Sequence, residues 1–251
     1  MRKLSAAFLA AGAVLAAVPA LAADMPFYPP VIDVPDVDYG VSGSFYLRGS
    51  AAGNALWSKE AYAWDCFACG PVQIAVPVTA WGYGYSVGAG FGYETGTGLR
   101  FDATVDLVNN SGLTATHPAS AGWRAGDYKT TLRSTIALAN AYYDFSFGGN
   151  YGYGAAGGAF GYVGAGIGAA FNDISVQGPV GGPMVPSGQN TSLAAAGMVG
   201  VGYDFGTVVA DLGYRGVYIN KISNSAAIPD TAWTENNWLH EVRGTVRYRF
   251  N

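Results

Sequence analysis

The stretch that decides the fold is Leu99-Arg100-Phe101-Asp102-Ala103-Thr104-Val105-Asp106-Leu107. Its odd positions are apolar and its even positions are charged or hydroxylated. In a β-strand successive side chains point to opposite faces, so this segment has one greasy face and one polar face. The pattern returns elsewhere. Val208, Ala210, Leu212, Tyr214 and Gly216 alternate with Val209, Asp211, Gly213 and Arg215. Val242, Gly244, Val246, Tyr248 and Phe250 alternate with Arg243, Thr245, Arg247 and Arg249. Near the start, Phe45 and Leu47 alternate with Ser44, Tyr46 and Arg48, and the aromatic-rich face of 81–93 alternates with Gly82, Gly84, Ser86, Gly88, Gly90 and Gly92.

One segment tempts a different reading. Residues 146–172 carry no charge and contain Gly154/Gly158 and Gly164/Gly168 at helix-packing spacing. Yet Val163, Ala165, Ile167, Ala169 and Phe171 again alternate with smaller residues. Each glycine would also cost a helix interior about 1 kcal/mol relative to Ala. The segment reads as a strand. Two further strands, around 131–145 and 193–205, are apolar on both faces, and their phase stays open. The total is about eight strands of roughly ten residues, the length that crosses a bilayer at a tilt.

Connection lengths separate a membrane barrel from a soluble sandwich. Long connections at about 54–79, 108–130, 172–190 and 219–238 alternate with short ones at Thr95-Gly98, about 146–152 and Gly206-Thr207. That asymmetry belongs to barrels with long extracellular loops and short periplasmic turns. Aromatics are sorted the same way. Phe91-Gly92-Tyr93, Tyr143-Asp144-Phe145, Tyr203-Asp204-Phe205 and Tyr248-Arg249-Phe250 end the strands that run toward the short turns. They predict a periplasmic aromatic girdle, while Trp57, Trp64, Trp81, Trp123, Trp233 and Trp238 fall at or beyond the opposite rim. The expected fold is all-β, an eight-stranded antiparallel up-and-down transmembrane barrel.

Composition agrees. Of 251 residues 12% are charged, 14% are aromatic and 37 are glycine. Asp and Glu outnumber Lys and Arg, 17 to 13, so there is no basic stripe for nucleic acid. Met1-Arg2-Lys3, the apolar run Leu4–Ala20 and Ala20-Leu21-Ala22 read as a secretory signal peptide over 1–22. A Pro-rich lead-in over 23–38 precedes the barrel at 39–251.

Asn140-Ala-Tyr-Tyr-Asp-Phe145, Tyr162-Val-Gly-Ala-Gly-Ile-Gly168, Gly202-Tyr-Asp-Phe-Gly206 and Arg247-Tyr-Arg-Phe250 resemble the small outer-membrane barrel family of Gram-negative bacteria. That family includes OmpA/OmpX-type, Opa-like and "porin-family" proteins. The resemblance implies an outer-membrane location and contact with lipid and lipopolysaccharide. It also implies handling by the barrel-assembly machinery through a terminal aromatic, here the penultimate Phe250.

With the apolar faces outward, Arg48, Arg100, Asp102, Asp106, Asp144, Asp204, Asp211, Arg215, Glu241, Arg243, Arg247 and Arg249 face the lumen. An eight-stranded barrel is just wide enough to be filled by side chains, so these charges are expected to pair. Arg243 is expected to meet Asp106 beside Arg215, and Arg247 to meet Asp102 or Asp211, with strand glycines leaving room for arginine. Cys66 and Cys69 lie in the first long connection, where an exported location favours a small disulfide. Free thiols and a metal site stay open beside it.

No cofactor and no enzymatic activity are expected. The lipid A deacylases among such barrels would require His-x-Ser, but His240 is followed by Val242, and His117 by Ala119. The expected role is structural, in the envelope, with the lumen plugged by its charges. Alternatives are a small porin and a surface protein whose loops bind a host or envelope protein or haem, for which His117 is the loops' imidazole.

Overall fold

The structure, a computed structural model, describes residues 43–67, 70–120, 122–147 and 158–250. The expected signal peptide and lead-in lie outside them, as do Cys69 and the side chain of Cys66, so the disulfide does too. Among the described residues are ten strands. They are β1 (Ser44–Trp57), β2 (Glu60–Phe67), β3 (Gly70–Ala80), β4 (Gly82–Glu94) and β5 (Leu99–His117), followed by β6 (Gly126–Ser146), β7 (Gly158–Gln177), β8 (Gly188–Asp204), β9 (Val208–Ser223) and β10 (Trp233–Phe250).

Eight of them close into a ring. β1 pairs with β4, β4 with β5, β5 through β10 pair in chain order, and β10 returns to β1, all antiparallel. Following straight-across partners from Phe250 through Phe45, Tyr93, Phe101, Ala141, Ala165, Gly197 and Gly216 leads back to β10 at His240, a stagger of ten residues. With eight strands, that stagger sets a tilt of about 40° and a height of about 2.5 Å per residue.

Lipid dictates which face turns out. Leu99, Phe101, Val105 and Leu107 are exposed on β5 while Arg100, Asp102, Thr104 and Asp106 are buried. The two strands of open phase resolve alike. Leu132, Ile136, Leu138 and Tyr142 of β6 turn inward, as do Ser192, Ala194 and Ala196 of β8.

The connections differ from expectation. Most of 54–79 is strand, and β5 and β6 run on to His117 and from Gly126. Hairpin β2–β3 stands above β1 and β4, with Tyr62 opposite Trp233 of β10 and Val78 opposite Ala115 of β5. The barrel thereby continues past the membrane. The cause is burial: Ala63, Val76, Leu113, Ala115, Tyr128 and Leu132 are all in the interior, and flexible loops would leave them in water.

A bulge sets the phase of this extension. Between Ser111 and Leu113 the β5–β6 register slips by one, at Gly112 with φ of 91°. Even-numbered residues of β5 face inward below it, and Leu113, Ala115 and His117 face inward above it.

Close strand contact also fixes Gly168 of β7, where an added Cβ would collide with the carbonyl oxygen of Ala137 on β6. Gly49, on the lipid face, has open space around it. Gly168→Val should destabilise the barrel by about 1–3 kcal/mol in urea unfolding from vesicles, as expected for overpacking. Gly49→Val should leave the midpoint nearly unchanged.

Candidate functional site

The barrel has two chemically distinct surfaces, and both follow from strand parity. On the outside Phe91, Tyr93, Tyr143, Phe145, Tyr203, Phe205, Tyr248 and Phe250 are exposed around the end that carries the short turns. Phe45 joins them, its ring centroid 5.5 Å from that of Phe91 and 4.9 Å from that of Tyr93. At the opposite rim Trp57, Trp81, His240 and Trp238 form a chain of ring contacts at 6.0, 5.5 and 6.5 Å. On β10 the step from Phe250 to Trp238 spans about 30 Å at this tilt, close to a bilayer core. An apolar band between two aromatic girdles is the surface of a barrel that spans an outer membrane. Trp64, Trp123 and Trp233 belong to the extension above, where Trp64 and Trp233 lie 6.1 Å apart.

Inside, arginines and carboxylates form three tiers. At the short-turn end Arg249 donates to Glu94 at 2.7 Å and to Asp204 at 2.6 Å. Arg247 donates to the other oxygen of Glu94 and lies 3.7 Å from Asp211 and 3.8 Å from Asp144. Asp144 also receives a two-pronged contact from Arg100, at 3.1 and 2.9 Å.

The middle tier centres on Asp102. It accepts from Arg48 at 2.7 Å, from the Tyr46 hydroxyl at 2.9 Å and from Asn140 at 2.7 Å. Arg100 lies 4.1 Å from the Tyr142 ring centre, and Arg247 lies 5.6 Å from that of Tyr46 and 5.4 Å from that of Phe160. These rings supply cation–π attraction where water is excluded.

The upper tier is a closed square. Arg215 donates to Asp106 at 2.6 Å and to Glu241 at 2.5 Å; Arg243 donates to the same two groups at 2.7 and 3.1 Å. Ser86 donates to Glu241 at 2.5 Å, and Arg243 to Ser50 at 2.6 Å. Each charge has two opposite neighbours, the condition under which burying it is tolerable.

Two details depart from the sequence reading. Of the two partners expected for Arg247, Asp211 lies 3.7 Å away, whereas Asp102 is taken by Arg48, and the principal partner is Glu94. Glu94 is absent from the expected network, although the parity of β4 carries it inward. The glycines make room mainly for rings and carboxylates: a Cβ at Gly92 would meet Tyr46, at Gly164 Tyr142, and at Gly88 Asp106, while Gly90 alone of these borders an arginine, Arg48.

Above the square the lumen loses its charges, which the charge pattern does not anticipate: buried amides and hydroxyls of Asn54, Asn110, Ser134 and Asn172 bond to one another there, beside an apolar cluster. Leu56, Val108, Leu132, Ile136, Val217, Ile219 and Leu239 are buried together as one cluster.

No protein-family model matches the sequence, and no curated protein does. Among solved structures, the chain is similar to Neisserial surface protein A at 23% identity and a TM-score of 0.45, over 83% of this chain and 99% of that one. It is similar to outer membrane protein OprG from Pseudomonas aeruginosa at 13% identity and 0.46, over 86% and 100%. It is similar to Ail, the attachment invasion locus protein of Yersinia pestis, at 12% identity and 0.36, over 83% and 99%.

The square makes a testable demand. Asp106→Asn removes the charge that faces both Arg215 and Arg243, and should cost about 3 kcal/mol of folding free energy in urea titrations. Asp173→Asn, at an exposed position on β7, should change stability by about 0.5 kcal/mol or less.

Proposed function

We propose that this chain is a structural surface protein of a bacterial outer membrane and that its lumen is closed to solutes. The observation that carries the reading is the filling of the interior. Paired charges occupy it from Arg249 up to Glu241, and the cluster around Ile136, Ile219 and Leu239 lies above them. A passing ion would have to displace buried pairs and then pass a level packed with uncharged side chains, and either step is expensive. Among the described residues six lumen arginines face seven lumen carboxylates, counting Glu94, so the interior has little net charge to draw an ion in.

Its partners are lipid and lipopolysaccharide around the belt, the assembly machinery during insertion, and envelope or host proteins at the loops. No catalytic role is assigned. His240 faces the lipid side and lies 2.5 Å from the Tyr214 hydroxyl, while Glu241 points inward to the arginines, so Glu241 does not orient this imidazole.

Purified protein in planar bilayers should give no reproducible open conductance, and a stable single-channel step would overturn the closed lumen. Lipid A from cells overproducing the chain should keep its mass spectrum unchanged.

A further inference from the structure

The extension above the membrane encloses a cavity of about 60 Å³ that is partly open to the outside. Its walls are almost wholly apolar. Ile174 and Ile222 form part of its boundary and belong equally to the apolar cluster of the lumen. Ala63 and Val76 line it from the hairpin, and Trp123 and Trp233 from the loop after β5 and the start of β10. Mouths of barrels are favoured places for small-molecule sites, which combine apolar walls with a few polar groups.

Among the polar residues that line the cavity, which include Thr130 and Thr234, His117 carries the buried atom without a partner. It is 5% exposed and lines the cavity, stacked on Trp123 at 5.3 Å and edge-on to Tyr128 at 6.1 Å. Its Nδ1 donates to the carbonyl oxygen of Pro118, and in that tautomer Nε2 is the acceptor. Nε2 is buried and has no hydrogen-bond partner among the described residues. The neighbouring aromatics are satisfied elsewhere: Trp123 Nε1 donates to Trp64 O at 2.9 Å, Trp233 Nε1 to Glu235 at 3.0 Å, and the Tyr128 hydroxyl to Arg124 O at 3.2 Å. An unpaired buried acceptor in an apolar cavity is costly and asks for a donor.

We propose that this cavity binds a small, largely apolar molecule bearing one O–H or N–H donor, with phenol as the simplest case. The donor meets His117 Nε2, and the apolar body packs against Trp123 and Trp233. An apolar cavity of about 150 Å³ encloses benzene whole. This smaller one takes the donor-bearing edge of a ring and leaves the remainder in the open mouth. A haem macrocycle is far too large for it.

The test uses the folded full-length barrel in lipid nanodiscs, with ¹⁵N-labelled tryptophan and indole signals assigned by single Trp→Phe variants. Phenol and anisole, which has the same ring without the donor, are titrated separately. Phenol should shift Trp123 and Trp233 saturably, whereas Trp81 and Trp238 at the lipid rim should report only non-saturating partition into the bilayer. Anisole should bind about ten-fold more weakly, because it leaves Nε2 unpaired. His117→Phe should abolish the preference for phenol, and Ala63→Phe should fill the cavity and block both probes, with heat-modifiable gel migration confirming that each variant is folded. Non-saturating shifts at Trp123 and Trp233, equal affinity for the two probes, or a preference that survives His117→Phe would each overturn the site. The wild-type comparison of phenol with anisole decides the matter even if a variant fails to fold.

Discussion

In lipid, a backbone N–H or C=O that lacks a partner has no water to turn to, and each such group costs several kcal/mol. The pairing of β1 with β10 is therefore the contact on which the rest depends. It runs from Phe45 opposite Phe250 to Trp57 opposite Trp238, the whole height between the two girdles. Without it, two strand edges would face hydrocarbon. Closure at a stagger of ten also sets the tilt, and the tilt fixes which inward side chains share a level. Asp106 on β5 reaches Arg215 on β9 and Arg243 on β10 across the lumen because of it.

The interior then obeys two different rules at two depths. In the three charged tiers the side chains are too close together for an unpaired charge, so each of the six lumen arginines has a carboxylate within 4 Å. Aromatic rings fill the gaps, and glycines on facing strands give them the space. Higher up, Leu, Ile and Val replace the charges. A cluster of this kind gains its stability from area removed from water and needs no geometric matching of donors to acceptors. Charge pairing thus gives register and specificity below, and apolar packing closes the barrel above.

Strand existence and order, and the face of every strand but those around 131–145 and 193–205, were legible in the sequence because lipid imposes a strict period of two, which Leu99–Leu107 displays plainly. The lumen charges were legible for the same reason, since parity alone assigns Asp106, Arg215, Glu241 and Arg243 to one side. Pairing partners were less so. Arg247 takes Glu94 as its principal partner, with Asp211 at 3.7 Å as expected and Asp102 out of reach, because of the stagger, a property of the closed ring that no single strand contains. The apolar upper lumen was hidden in strands such as Ile136–Leu138 and Ala194–Ala196, whose two faces are alike in hydrophobicity. Periodicity cannot choose between such faces, but burial inside the ring does.

His117 shows how far one residue can redirect a reading. Extending the parity of Leu99–Leu107 along β5 would turn position 117 outward, and a long connection after 108 would leave it in solvent. Gly112 cancels both expectations. Its positive φ admits the extra residue of the bulge, the phase inverts, and the imidazole turns into the barrel mouth. The signal was present as an interruption, Asn110-Ser111-Gly112, between two stretches that each alternate. Because strands rather than loops carry the barrel above the membrane, the wall that holds His117 is fixed by the β5–β6 ladder up to its last pair, His117 opposite Gly126. A single orphaned acceptor placed on such a scaffold keeps its direction, and direction is what a polar contact needs to discriminate between ligands of equal hydrophobicity.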